Sequence, residues 1–191
     1  PGRSRLHRLY VHGADSTNSR TVTVANMTGR KSILARIRGK KGQRITHLQP
    51  ETGFRESYRI DGETLISVND YRSGRVFDDA ISYAFYPVDL HTKTGVKPQP
   101  LKPGTVPTIP LRALIPKGSE NIIVAGRCVS SDRLANSGLR VQASCMGMGQ
   151  AAGVAAALAA QSDTAPLEVP LTEIHSLLQE HGQIVPEGNT A

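Results

Sequence analysis

The residues of this chain that could do chemistry fall into a few short stretches. One is Tyr86-Pro87-Val88-Asp89-Leu90-His91. In an extended chain alternate side chains share a side, so Asp89 and His91 face the same way. A carboxylate beside an imidazole orients it, and such a pair can take or give a proton. The same two residues would serve equally well as polar turn residues beside Pro87. A second stretch is Gly53-Phe54-Arg55-Glu56-Ser57-Tyr58-Arg59-Ile60-Asp61. Read as a strand, it puts Arg55, Ser57 and Arg59 on one face and Glu56 and Tyr58 on the other. Two arginines on one face suit solvent, or a carboxylate or phosphate that guanidinium grips through paired bonds. The residues alone favour solvent. His12 closes a third stretch, Arg5 to Gly13, and as a lone histidine at a strand end it reads as a surface or packing residue.

Other groupings are weaker. Cys128 and Cys145 are too few for a disulfide framework or a zinc site, and without a C-x-x-C spacing they read as small buried hydrophobes. Asp78 and Asp79 are adjacent and point apart, which suits a salt bridge or a helix start better than a metal. Gly147-Met148-Gly149-Gln150-Ala151-Ala152 fits the G-x-G-x-x-G/A spacing of a dinucleotide-binding turn. That fingerprint needs a strand before it and a helix opening after it, and here the match lies inside a helical run.

These residues need elements to carry them. Residues 5–13 read as a strand and 13–19 as a turn. Residues 23–41 read as a helix with a basic solvated face, ended by Gly39 and Gly42. Two strands follow, at 43–50 and 53–61. A strand and then a short helix capped near Ser67 or Asn69 lead toward the strand that ends at His91. Residues 92–108 hold four prolines and form a connecting loop. A further strand at 106–114 is irregular or at an edge because of Pro110. Asn121 to Gly126 is a continuous apolar run closed by glycine, the pattern of a strand covered on both faces. A polar loop to Gly138 precedes a long small-residue helix over 139–160. A short amphipathic helix starts at Leu171 and stops at Gly182.

IPLRALIPKGSENIIVAGRCVSS followed by SGLRVQASCMGMGQAAGVAAAL closely resembles the C-terminal segment of FAD-dependent oxidoreductases of the glutathione-reductase-like superfamily. Residues 53–60 are similar to that family's G-x-R-E-[ST]-x-R-I segment, and 75–81 to its R-x-F-x-D-A-I. Residues 87–91 match its P-[IV]-D-[IL]-H, and 12–18 its H-G-x-D-x-T-N. Ser137 stands where many members carry a bulkier polar residue.

The resemblance implies FAD as cofactor and hydride transfer between a substrate C–H and flavin N5. It implies a strand ending beside the flavin and a helix whose N-terminus points at the isoalloxazine ring. Gly126, Arg127, Gly138, Leu139, Arg140 and Val141 are then the flavin-binding candidates. Arg55, Asp89 and His91 are the catalytic candidates, with His12, Arg55, Glu56 and Tyr58 toward the substrate. A helix N-terminus carries free N–H groups and about half a positive charge, and Arg140 in its first turn would add a full charge where reduction makes the flavin anionic.

Net charge is +7 and uneven. Residues 1–60 hold 13 Lys/Arg against 3 Asp/Glu, and residues 131–191 hold 2 against 6. A basic block can meet nucleic acid, an anionic surface or an acidic partner. Nucleic acid is disfavoured because the aromatic interleaving of single-strand binders is lacking. No run reaches the ~18–20 apolar residues of a membrane span, so membrane insertion is not expected. The location is left open, with the cytoplasm favoured. The expected fold class is α/β (α+β): a mixed substrate-binding sheet over 1–115, the C-terminal strand and helix of an FAD domain over 116–166, and a C-terminal helix and tail over 167–191. Beside a small-molecule substrate, the expected partner is an N-terminal nucleotide-binding half of the same protein. A basic binding module without catalysis is the alternative.

Overall fold

A computed structural model describes residues 11–48, 51, 53–92 and 95–187. The chain divides into two compact units, Pro1–Ser57 and Tyr58–Ala191. The expected boundary near residue 115 does not coincide with this division.

The first unit is built on one helix, α1 (Ser19–Ile37). It starts four residues before the sequence pattern does, because Asn18 caps it, its side-chain oxygen accepting from the N–H of Arg20 (3.1 Å) and Thr21 (3.3 Å). The turn before it is equally local. Asp15 accepts from the Thr17 hydroxyl (2.7 Å) and N–H (2.9 Å), and these bonds hold its carboxyl below the usual carboxylate range. Asp15 therefore builds the turn that launches the helix. Among the described residues of this unit only Ala25 is a buried apolar residue, while Val24, Met27 and Leu34 are exposed. The strands expected at 43–50 and 53–61 are not formed: 43–48 and 53–61 carry no ladder, and positions 49, 50 and 52 lie outside the described residues. The strand expected at 5–13 lies outside them up to residue 10, and 11–13 are not a strand. Strand-like alternation does not substitute for a neighbouring strand to receive the backbone bonds.

The second unit carries the core. After α2 (Val68–Ser73) come β1 (Ala80–Tyr83), β2 (His91–Thr92), β3 (Gly95–Val96) and β4 (Thr108–Pro110). A 3-10 turn at Leu111–Leu114 leads to α3 (Arg133–Leu139), α4 (Gln142–Ser162) and α5 (Leu171–Glu180). Ser67 caps α2 in a capping box with Asp70, as the pattern S-x-x-D foretells. β1 pairs antiparallel with β4 through an irregular step between Ala80 and Ser82, and β2 pairs antiparallel with β3. The other edge of β1 is closed by side chains from the C-terminal region. His175 Nε2 lies 2.8 Å from the Ala80 carbonyl, and Gln183 Nε2 donates to Ile81 O at 2.8 Å. α4 lies on β1 and α5 on α4, around fully buried Ile81, Ile109, Met148, Ile174 and Leu178. α4 is long and apolar enough to cross a membrane by length and composition, yet one face of it belongs to this core.

Two expectations for the central stretch change. Residues 121–126 are not a buried strand: Ile122 is 53% exposed. A strand there would need a ladder, and the segment instead makes one backbone bond to the 3-10 turn, Val124 N–H to Leu114 O at 2.8 Å. The long helix expected over 139–160 begins at Gln142, and the loop expected before it holds α3, from which Arg140 and Val141 separate it, with Val141 extended (φ −74, ψ 157). Leu139 and Met148 are both fully buried. Nine residues, about two and a half turns, separate them, so on one straight helix they would face opposite ways. The break lets both face the core.

Candidate active site

Tyr86 to His91 crosses the second unit beside α3 and is held at nearly every step. The Tyr71 hydroxyl donates to Tyr86 O at 2.8 Å. Val88 and Gln99 exchange both backbone bonds, at 3.0 and 2.9 Å. Asp89 donates its N–H to Ser137 Oγ at 2.9 Å, and its carbonyl accepts from an Arg140 guanidinium nitrogen at 2.9 Å. Its carboxylate Oδ2 lies 3.3 Å from His91 Nε2, with side-chain exposures of 21% for His91 and 10% for Asp89. Asp89 Oδ1 is buried with no hydrogen-bond partner among the described residues. The arrangement is a shielded carboxylate–imidazole pair, one that can hold a proton and pass it on.

The clamp on this segment depends on close packing. Tyr71, on α2, is fully buried, and burial pushes its phenol up to about 12. Its ring lies on Gly138, where a Cβ would sit 2.5 Å from the phenol oxygen. The glycine expected to admit a flavin thus admits a tyrosine ring. Asp132 ties the same elements together: its two carboxylate oxygens accept from Ala135 N–H and from Val68 N–H, capping α3 and binding the start of α2.

The flavin-side candidates divide. Leu139 is buried inside α3, and the Arg140 N–H donates to Asn136 O at 2.9 Å, so neither amide is the open helix start the sequence suggested. Val141 is the N-cap of α4 and supplies no side-chain cap. The first-turn donors are therefore those of Gln142, Ala143 and Ser144, two to three positions later. Gly126 has φ +95, in the left-handed region that favours glycine. A Cβ there would come within 4.0 Å of Cys145 Sγ. The exposed Arg127 lends its carbonyl to Asn136 Nδ2 at 3.1 Å. Burial pushes the Cys145 thiol up, against the opposing pull of the Arg127 charge. Gly147, the first glycine of the G-x-G-x-x-A match, faces Ser82 of β1, where a Cβ would sit 2.4 Å from its hydroxyl oxygen. That match is helix-to-strand packing.

The remaining candidates lie at residues 12 and 55–58. His12 and Arg55 are exposed, and His12 lines a cavity of about 260 Å³ with Val11, Arg20 and Val24. Glu56 is half-buried and its carbonyl accepts from the Ser16 hydroxyl at 2.8 Å. Tyr58 is 74% exposed. No strand forms at 53–61, so the shared face expected for Arg55 and Arg59 does not exist as such. Among the described residues no group of three or more His, Cys, Asp or Glu could hold a metal.

Sequence reasoning missed Ser137 and Tyr71. Tyr71 has no motif around it, and Ser137 stood out only as a departure from the family pattern, since each matters through a contact with a distant segment. The family model described as FAD dependent oxidoreductase matches residues 7–178 of this chain. No curated protein and no solved structure matches it.

Proposed function

The chain belongs to the family of FAD-dependent oxidoreductases, whose cofactor is FAD, and we propose that Asp89 and His91 are its acid/base pair during oxidation or reduction of a small organic substrate. The observation that carries this reading is the shielded pair itself, 3.3 Å apart and held by α3 immediately before α4 begins. The chain's residues fit the flavin at one place: the α4 N-terminus has no side-chain cap, and Gln142 and Ala143 are exposed there. These first-turn amides, with the nearby backbone at Gly126 and Arg127, would hold the edge of the ring that becomes anionic. FAD, when bound, supplies the hydride acceptor or donor. His91 would exchange a proton with the substrate heteroatom while Asp89 fixes the ring.

The test is transient kinetics of flavin reduction in the FAD-loaded protein. His91→Gln should slow reduction by about 10²–10⁴-fold, the usual weight of a positioned acid or base, with FAD content unchanged. Reduction at the parental rate would remove His91 from the reaction.

A further inference from the structure

We infer that Ser137 and Arg140 are positioning residues for the Asp89–His91 pair, fixing the carboxylate through its own backbone. Asp89 lies between two paired positions, Val88, bridged to Gln99, and His91, which opens β2. In a sheet its N–H and C=O would go to a neighbouring strand. Here both go to the end of α3: the N–H to Ser137 Oγ and the C=O to Arg140, each at 2.9 Å. Ser137 is itself locked, its hydroxyl donating to Leu134 O at 2.6 Å. Because that proton is committed to Leu134, Ser137 Oγ is left as an acceptor, which suits the Asp89 N–H.

With both backbone groups held, the Asp89 side chain leaves from a fixed point and Oδ2 is delivered to His91 Nε2. Its second oxygen has no hydrogen-bond partner among the described residues, and Oδ2 lies 3.3 Å from His91 Nε2. A carboxylate accepts only, so the shared proton sits on Nε2 and the ring is held in that tautomer. Arg140 thus serves the site through Asp89, at the point where α3 gives way to α4. This function for the pair rests on the reading given under Proposed function. The positioning itself does not.

The experiment separates the two. In the full chain, long-range proton–nitrogen NMR of the His91 ring reports which nitrogen carries the proton. The Nε2–H form should predominate, and Asp89→Asn should reduce its ratio to the Nδ1–H form by about tenfold, the worth of a charge-assisted hydrogen bond. Ser137→Ala and Arg140→Met should each move the ratio in the same direction. Neither should move it further in the Asp89→Asn background, and Arg140→Lys should restore part of what Arg140→Met loses. A ratio unmoved by Ser137→Ala and Arg140→Met, or moved equally in both backgrounds, overturns the inference. Should Ser137→Ala fail to fold, the Arg140 series decides alone. A ratio that moves as expected while His91→Gln leaves flavin reduction intact supports the positioning and overturns the acid/base reading.

Discussion

The two units of this chain hold their residues in place by different means. In Pro1–Ser57 the bonds that start the helix are local, and one longer bond runs from the Ser16 hydroxyl to Glu56 O. Asp15, Thr17, Asn18 and Thr21 bond to one another across at most six positions to start α1, and one apolar side chain, Ala25, is buried. In Tyr58–Ala191 the securing contacts join distant segments. Tyr71 reaches Tyr86, Asp89 reaches Ser137 and Arg140, and His175 reaches Ala80, all around one core. The difference teaches where a shielded carboxylate–imidazole pair can be kept. A buried carboxylate is costly unless its surroundings are fixed, and among the described residues the core that fixes them lies in the second unit.

Four measurements would break or sharpen this contrast. The largest effect is expected from matched core truncations. Ile81→Ala should cost about 2–5 kcal/mol by urea unfolding, whereas Leu34→Ala on α1 should cost less than about 0.5 kcal/mol. Equal costs would mean that α1 has a core of its own.

Alkaline titration should act on the second unit. Burial holds the Tyr71 phenol up at about 12, against a usual 10.0. The unfolded chain then loses its proton first, so stability falls as pH rises from 10.0 toward 12, by an amount on the order of 2 kcal/mol. Tyr71→Phe should flatten that slope, and a slope unchanged in this variant would assign the loss to other groups.

A pair of glycine substitutions gives opposite signs. Gly138→Ala drives a methyl into Tyr71 and should cost about 1–3 kcal/mol. At Gly153 an added Cβ meets nothing within 4 Å, so Gly153→Ala should stabilise α4 by up to about 1 kcal/mol. Thermal unfolding of the two variants checks this, and two shifts of the same sign would contradict the packing of Gly138 on Tyr71.

The smallest effect separates the units most cleanly. Asn18→Ala should weaken the α1 cap by about 1 kcal/mol. Amide exchange should speed up along α1 and stay unchanged at Ile81 and Ile174. Faster exchange at both would show the two units to be energetically coupled.

Sequence by itself determined what depends on neighbours in the chain. The cap at Ser67, the amphipathic α5 and the irregular strand at Pro110 were legible, because capping chemistry and short-range periodicity are local, and the family was legible from its motifs, whereas Asn18 read only as a turn residue. The rejection of the G-x-G-x-x-A match was legible for the same reason. Tertiary structure decided the rest. It placed α3 in the expected loop and started α4 only at Gln142, and with that break Leu139 and Met148 both reach the core. It left 121–126 and 53–61 without ladders, since a strand exists only where another strand receives its hydrogen bonds. It turned Arg140 from an expected helix-start charge into the clamp on Asp89, because where a long side chain ends depends on which distant backbone carbonyl is brought within reach.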